Sequence, residues 1–184
     1  MVPMVLPGHI AGGYLATKAL LSLTHAALTP LQTQIVSVVG TLSGEAPDID
    51  LIWFYFEKRR AKAPEKQSHR DHPTHLPVTW LVISLSIMAI GYAAGSSFTG
   101  YIGAAVLCGS WSHLILDSIE YGVRWLWPFS NRRFCLKDVS LPTSDRRPGS
   151  PAFYWEHIKT SYVKGLTFYV EIAVTLIALF VALR

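Results

Sequence analysis

Histidine and aspartate residues of this chain recur at a spacing that suits metal coordination. His113 and Asp117 are four residues apart in a long apolar segment, so they project from the same face of a helix. From one face, an imidazole and a carboxylate can share or bridge divalent metal ions. A hydrogen-bonded contact between two helices is the alternative, but ionisable groups in such apolar segments are costly and usually functional. The pair therefore indicates a site.

Two further carboxylates, Asp48 and Asp50, follow Pro47. An extended or turn conformation is expected there, so the two side chains point in different directions. One aspartate can bind metal while the other orients a ligand imidazole from behind it. We assign the metal to Asp50 and give Asp48 the role of general base or orienting group. A capping role for the following helix is the alternative for both.

The segment HRDHPTH at 69–75 places three imidazoles, a guanidinium and a carboxylate within seven residues. His75 begins an apolar helix and is the best metal-ligand candidate of the three histidines. Arg70 suits the bidentate grip of an anionic oxygen and is a candidate for stabilising a transition state. His69 is a candidate general base or orienting group, and an exposed loop position is the alternative for His69 and for His72.

Long apolar segments must position these side chains. Hydrophobic residues make up 51% of the 184 residues and charged residues only 15%, whereas a soluble domain carries about a quarter charged residues. The composition predicts an all-α protein, a multi-pass transmembrane bundle of about five helices in one membrane-embedded domain, residues 1–184. The expected helices are 9–27, 31–44, 75–95, 98–120 and 162–183, with a turn at Leu28-Thr29-Pro30.

The basic residues indicate how this bundle is oriented. Fourteen of the sixteen Lys and Arg residues lie in 57–73, in 121–159 or at Lys164, and the connections on the other side carry none. By the positive-inside rule both basic segments face the cytoplasm. Every His and Asp motif then lies at the cytoplasmic face of the bundle. Because the basic residues flank apolar spans, the net charge of +4 does not indicate nucleic-acid binding.

Five motifs occur in order along the chain. They are H-x-x-x-G at 9–13, PDID at 47–50, HR-x-x-x-TH at 69–75, SH-x-x-x-D at 112–117 and WPFS at 127–130. Together they resemble the LexA-binding, inner membrane-associated metal-dependent hydrolase family of bacteria, which is itself similar to zinc-dependent phospholipase C and the single-strand-specific zinc nucleases. The resemblance implies five metal ligands, His9, Asp50, His75, His113 and Asp117. From their types and position before the last span, Glu156 and His157 are candidates for a second metal site, with a place on an amphipathic approach to that span as the alternative.

The expected function is hydrolysis of a phosphoester of a lipid or lipid-linked substrate at the inner membrane. One or two divalent ions, Zn²⁺ first and Mn²⁺ or Fe²⁺ as alternatives, would activate water. A lipid phosphatase of the vanadate-sensitive type is disfavoured because the sequence lacks its PSGH segment. The rival of another class is a non-catalytic membrane protein, either a metal transporter or a regulator that binds a soluble partner such as LexA.

Overall fold

A computed structural model describes residues 7–51, 70, 72–137, 155, 158–160 and 162–184. Within these residues the chain forms five α-helices: α1 (Pro7–Leu23), α2 (Pro30–Ser43), α3 (Pro77–Ala93), α4 (Ser97–Asp117) and α5 (Leu166–Ala182). Short 3₁₀ turns lie at Ala46–Ile49, Pro73–His75 and Tyr162–Lys164. The described part of the chain consists of helices, turns and loops, with a single isolated β-bridge and no named strand, so the expected all-α class is confirmed.

Local chemistry fixes the helix ends. Thr29 caps α2: its hydroxyl accepts from the backbone N–H of Gln32, and the Gln32 side chain accepts from the backbone N–H of Thr29. Pro30 follows in the first helical turn, where its missing N–H costs nothing. The turn expected at 28–30 is therefore confirmed.

The third helix begins later than the sequence predicts. Leu76 precedes Pro77 and is extended (φ −96°, ψ 123°), since the ring of a following proline disfavours helical backbone. His75 consequently lies in the 3₁₀ turn before α3. Seventeen residues remain in α3, which rise through ~26 Å.

Helix α4 packs against α1, α2 and α3, and α5 packs against α1. Glycines allow the closest of these contacts. A Cβ placed on Gly109 would lie 2.2 Å from the carbonyl oxygen of Gly40, and one on Gly13 would lie 2.6 Å from the same oxygen. Small residues at the crossing thus bring α1, α2 and α4 within backbone contact.

Among the described residues, α4 alone is long and apolar enough to cross a bilayer. A second span results if the helical segment Ile158–Lys164 and α5, which meet at a bend, are counted as one span. Apolar side chains on α3 and α5 nevertheless point outward, including Ile90 at 62% exposure and Leu176 at 61%. Helices that are apolar on all sides suit a lipid environment. The five-span count stays a prediction.

Because successive helices alternate in direction, five chain segments meet at one end of the bundle. They are the start of α1, the turn after α2, the turn before α3, the end of α4 and the start of α5. The His and Asp motifs of the sequence lie on these segments.

Candidate metal centre

The end of α4 supplies the centre of the cluster. His113 and Asp117 are both fully buried and lie one helical turn apart, with His113 Nε2 3.9 Å from Asp117 Oδ2. His113 Nδ1 lies 2.8 Å from the carbonyl oxygen of Gly44. A carbonyl can only accept, so Nδ1 carries the proton and the lone pair of neutral His113 is on Nε2.

The turn before α3 supplies His75, which is 1% exposed. Its Nδ1 lies 2.7 Å from Asp50 Oδ2, and Thr74 donates a hydroxyl hydrogen bond of 2.9 Å to the same carboxylate oxygen. Asp50 therefore orients the ring, and Nε2 of His75 points away from Asp50 toward Asp48 and Asp117. Metal-binding histidines are commonly held by a carboxylate on the second ring nitrogen.

The turn after α2 places the two aspartates differently. Asp48 Oδ1 lies 3.3 Å from His75 Nε2 and 3.7 Å from His113 Nε2. Asp48 thus faces the nitrogens that can hold an ion, whereas Asp50 contacts the back of the His75 ring. The sequence analysis assigned the metal to Asp50 and the orienting role to Asp48. The geometry favours the opposite roles, with Asp48 as the metal ligand and Asp50 as the group that orients His75.

Helix α1 adds His9 in its first turn, with 1% of the residue exposed. The His9 ring stacks on the His113 ring at a centroid distance of 3.7 Å. Its Nε2 lies 3.9 Å from Asp117 Oδ1. Among the residues described, both ring nitrogens of His9 lack a hydrogen-bond partner, and so does Nε2 of His113. Buried polar nitrogens in this state are a reason to expect a bound species.

Arg70 is 4% exposed and is directed at Asp117. Its Nε donates to Asp117 Oδ2, and Nη2 donates to Asp117 Oδ1 at 3.2 Å. The guanidinium also lies 4.3 Å from the centroid of the Tyr121 ring. Arg70 therefore fixes a carboxylate of its own protein, a partner that the sequence did not suggest. The remaining lone pairs of Asp117 can still bind a cation, because an ionised carboxylate has about four acceptor positions.

Several pairs of donor atoms have about the separation that a four-coordinate cation requires. Two ligands at ~2.1 Å from a common tetrahedral Zn²⁺ lie ~3.4 Å apart. Between the nitrogens of His75 and His113 and the oxygens of Asp48 and Asp117, four pairs lie at 3.3, 3.7, 3.7 and 3.9 Å. Two triads each offer ligand atoms that lie within 4.8 Å of one another. The first consists of His9, His113 and Asp117, and the second of Asp48, His75 and His113.

Both triads contain His113, whose single free lone pair can bind one ion at a time. One ion held by His75, His113, Asp48 and Asp117 satisfies this limit. His9 then lies beside Asp117 and could contribute to a second metal position.

The protonation of the turn residues reflects their mutual contacts. Burial lowers the pKa of His75, but hydrogen bonds to Asp48 and Asp50 outweigh burial and raise it to about 8. Burial raises the pKa of Asp48, yet the contacts with His75 and His113 bring it to about 2. In the protein without a cation, His75 therefore carries a proton that a bound cation would displace.

Three glutamates near this end of the bundle take separate roles. Glu45 is half-buried, and burial followed by repulsion from Asp48 raises its pKa to about 7. Glu171 is 5% exposed, accepts from the Tyr162 hydroxyl and lies against Gly8. Glu120 accepts from the backbone N–H groups at the start of α5, so it acts as a helix cap. Glu45 is absent from the sequence-based candidates, because it belongs to no motif.

The remaining sequence-based candidates are placed as follows. His69, Glu156 and His157 lie outside the described residues, so their proposed roles stay predictions. His9, Asp50, His75, His113 and Asp117 converge at one end of the bundle, and their function as ligands stays a prediction.

Comparison with known proteins identifies the family. Residues 4–183 match the model of the YdjM inner membrane protein family. Neither the curated proteins nor the solved structures contain a match to this chain. The family match covers nearly the whole chain and supports location in the inner membrane. The chain belongs to the YdjM inner membrane protein family.

Proposed function

We propose that this protein is a membrane-bound, metal-dependent hydrolase that cleaves a phosphoester of a lipid or lipid-linked substrate. The observation that carries the proposal is the buried set of donors from Asp48, His75, His113 and Asp117, spaced at coordination distances. These four residues would hold a divalent cation, which when bound would lower the pKa of a coordinated water toward ~7 and offset the negative charge that develops on the phosphoryl oxygens. Zn²⁺ is the ion that this mixture of imidazole and carboxylate suits best, with Mn²⁺ and Fe²⁺ as alternatives.

The surrounding residues would keep this set rigid. Asp50 and the Gly44 carbonyl each hold the Nδ1 side of one imidazole, and Arg70 holds Asp117. Because three of the four donors are held by hydrogen bonds before any substrate arrives, little reorganisation of them would be needed during the reaction. The active site in this proposal faces the cytoplasm, and the positions of the basic residues support this orientation.

Glu45 is the proposed proton carrier. Its pKa of about 7 lies near the operating pH, where a general acid or base is most effective. One of its carboxylate oxygens has no hydrogen-bond partner within the described ranges. In this role Glu45 takes the place that the sequence had suggested for Asp48 or His69.

Hydrolysis can be tested with purified protein in mixed micelles. Phosphomonoester and phosphodiester lipids are supplied as separate substrates, and release of phosphate or headgroup is measured with EDTA and again after Zn²⁺ or Mn²⁺ is restored. We expect turnover that EDTA abolishes. Loss of the hydrogen-bond partner of a metal ligand typically lowers activity by ~10- to 100-fold, and His113→Ala, which removes a ligand itself, should lower turnover by more than this.

His25→Ala is the matched control, because His25 lies at the opposite end of α1. It should retain wild-type turnover. Turnover that survives His113→Ala, or protein that binds metal and hydrolyses none of the lipids, would refute the hydrolase and favour the non-catalytic alternative.

A further inference from the structure

The chain that follows α4 forms a hairpin over residues 118–137 and returns to the helix end. Val123 and Phe134 exchange two backbone hydrogen bonds of 3.0 and 2.9 Å. Two more, each 2.9 Å, lead back to the carbonyl oxygens of Ser118 and Ile119. The hairpin is therefore attached rigidly to the helix that carries His113 and Asp117.

The hairpin also folds back alongside α4. The indole N–H of Trp125 donates to the Ser118 hydroxyl at 2.8 Å, and its ring packs edge-to-face on Trp111 at 5.5 Å. Trp111 precedes Asp117 by six residues, or ~9 Å along the helix. Its own indole N–H donates to the carbonyl oxygen of Pro77, at the start of α3. The hairpin thus lies at the level of the helix ends and does not project away from them.

The hairpin exposes several large apolar side chains. Phe129 is 95% exposed, Leu136 70%, Leu126 67% and Phe134 55%. Trp127 is exposed as well. Large apolar side chains this close together on a surface indicate contact with another apolar phase or molecule.

The charge on the same hairpin is of one sign. Arg132, Arg133 and Lys137 are exposed, and Glu120, its single acidic residue, is 6% exposed and caps α5. Aromatic side chains beside Lys and Arg match the chemistry of the lipid headgroup layer, where rings insert and cations meet anionic phosphates.

We propose that hairpin 118–137 is an interfacial anchor that inserts Trp127 and Phe129 among the headgroups and binds anionic phospholipid through Arg132 and Arg133. It would hold the end of α4, and with it the candidate metal centre, at the depth of the lipid phosphates. This inference does not rest on hydrolysis and stands if the protein binds no metal.

Lipid selectivity tests the charged part of the anchor. The full chain is reconstituted in phosphatidylcholine, and the association of spin-labelled phosphatidylglycerol is compared with that of spin-labelled phosphatidylcholine. We expect a preference for phosphatidylglycerol that falls with added NaCl and that Arg132→Gln reduces by up to about fivefold. Arg184→Gln, the same charge change at the far end of α5, should leave the preference unchanged.

Either of two results would overturn this part: equal association of both lipids with the wild type, or an unchanged preference after Arg132→Gln and Arg133→Gln are combined. Metal content of the variants should equal that of the wild type, so failure of this proposal is distinguishable from failure of the hydrolase.

Tryptophan quenching tests the insertion without relying on the arginine variants. The fluorescence of Trp127 is isolated as the difference between wild type and Trp127→Phe. Phosphatidylcholine brominated near the glycerol should quench this component more strongly than aqueous acrylamide does. Quenching by acrylamide alone would place the hairpin in water, overturn the anchor and indicate docking of an acidic soluble protein instead.

Discussion

The imidazoles of His75 and His113 each have one nitrogen fixed by the protein and one directed inward. Asp50 holds Nδ1 of His75, and the Gly44 carbonyl holds Nδ1 of His113. The inward nitrogens are then set in both tautomer and direction. A metal site built in this way depends on the orienting groups as well as on the ligands.

The two aspartates after α2 should differ in consequence. Asp48→Asn removes the negative charge that faces both inward nitrogens, whereas Asp50→Asn weakens the support of one ring. We expect Asp50→Asn to lower metal affinity by about 10- to 100-fold and Asp48→Asn to lower it further. Titration of chelator-treated protein with Zn²⁺ measures both. A greater loss in Asp50→Asn would restore the assignment suggested by the sequence.

The i, i+4 pair His113 and Asp117 could be predicted from the sequence because helix geometry alone places both on one face. The division of labour between Asp48 and Asp50 could not, since it depends on the backbone of a 3₁₀ turn. The contact of Arg70 with Asp117 joins residues 47 positions apart, and no local pattern encodes it.

At the scale of helices, the site exists because α1, α2 and α4 approach closely enough to bring their ends together. Gly109 of α4 lies directly against the backbone of Gly40 in α2. A side chain at this crossing would separate the helices that carry His9, the Asp48 turn and His113.

Gly109→Ala should therefore destabilise the protein. Its Cβ would lie 2.2 Å from a backbone oxygen that cannot rotate away, and overpacking of this kind costs about 1–3 kcal/mol. Thermal unfolding in detergent should show a lower Tm. Gly100→Ala in the same helix is the matched control, because its Cβ would meet no atom within 4 Å. Equal Tm values for the two variants would show that the crossing is looser than the structure indicates.

The five helices were predictable as elements, and their ends were less so. Apolar length indicates α3 and α4, but the start of α3 shifts past His75 because Pro77 fixes the first turn. Similarly, α5 begins at Leu166 because Glu120 accepts from its first backbone N–H groups. Caps supplied by distant residues are invisible to a local pattern.

For the whole molecule, membership of an inner membrane family agrees with the apolar composition and the outward-facing side chains of α3 and α5. An odd number of spans would place the N-terminus and the C-terminus of the chain on opposite sides of the bilayer. The positions of the basic residues favour a cytoplasmic location for the His and Asp cluster, which stays a prediction.

A reporter fused after Arg184 checks this topology. With five spans and a cytoplasmic centre, alkaline phosphatase fused there should be active, because it folds only outside the cytoplasm, and green fluorescent protein should be dark. A fusion after Gly95, in the connection between α3 and α4, should behave in the same way. Fluorescence from the Arg184 fusion would contradict the five-span count.

The convergence of distant imidazoles and carboxylates on one cation is tested most directly by the metal content of detergent-purified protein. We predict about one ion per chain in the wild type and in His25→Ala, and loss of that ion in His113→Ala and in Asp117→Ala. A wild type without stoichiometric metal, or variants that retain all of it, would contradict the metal centre.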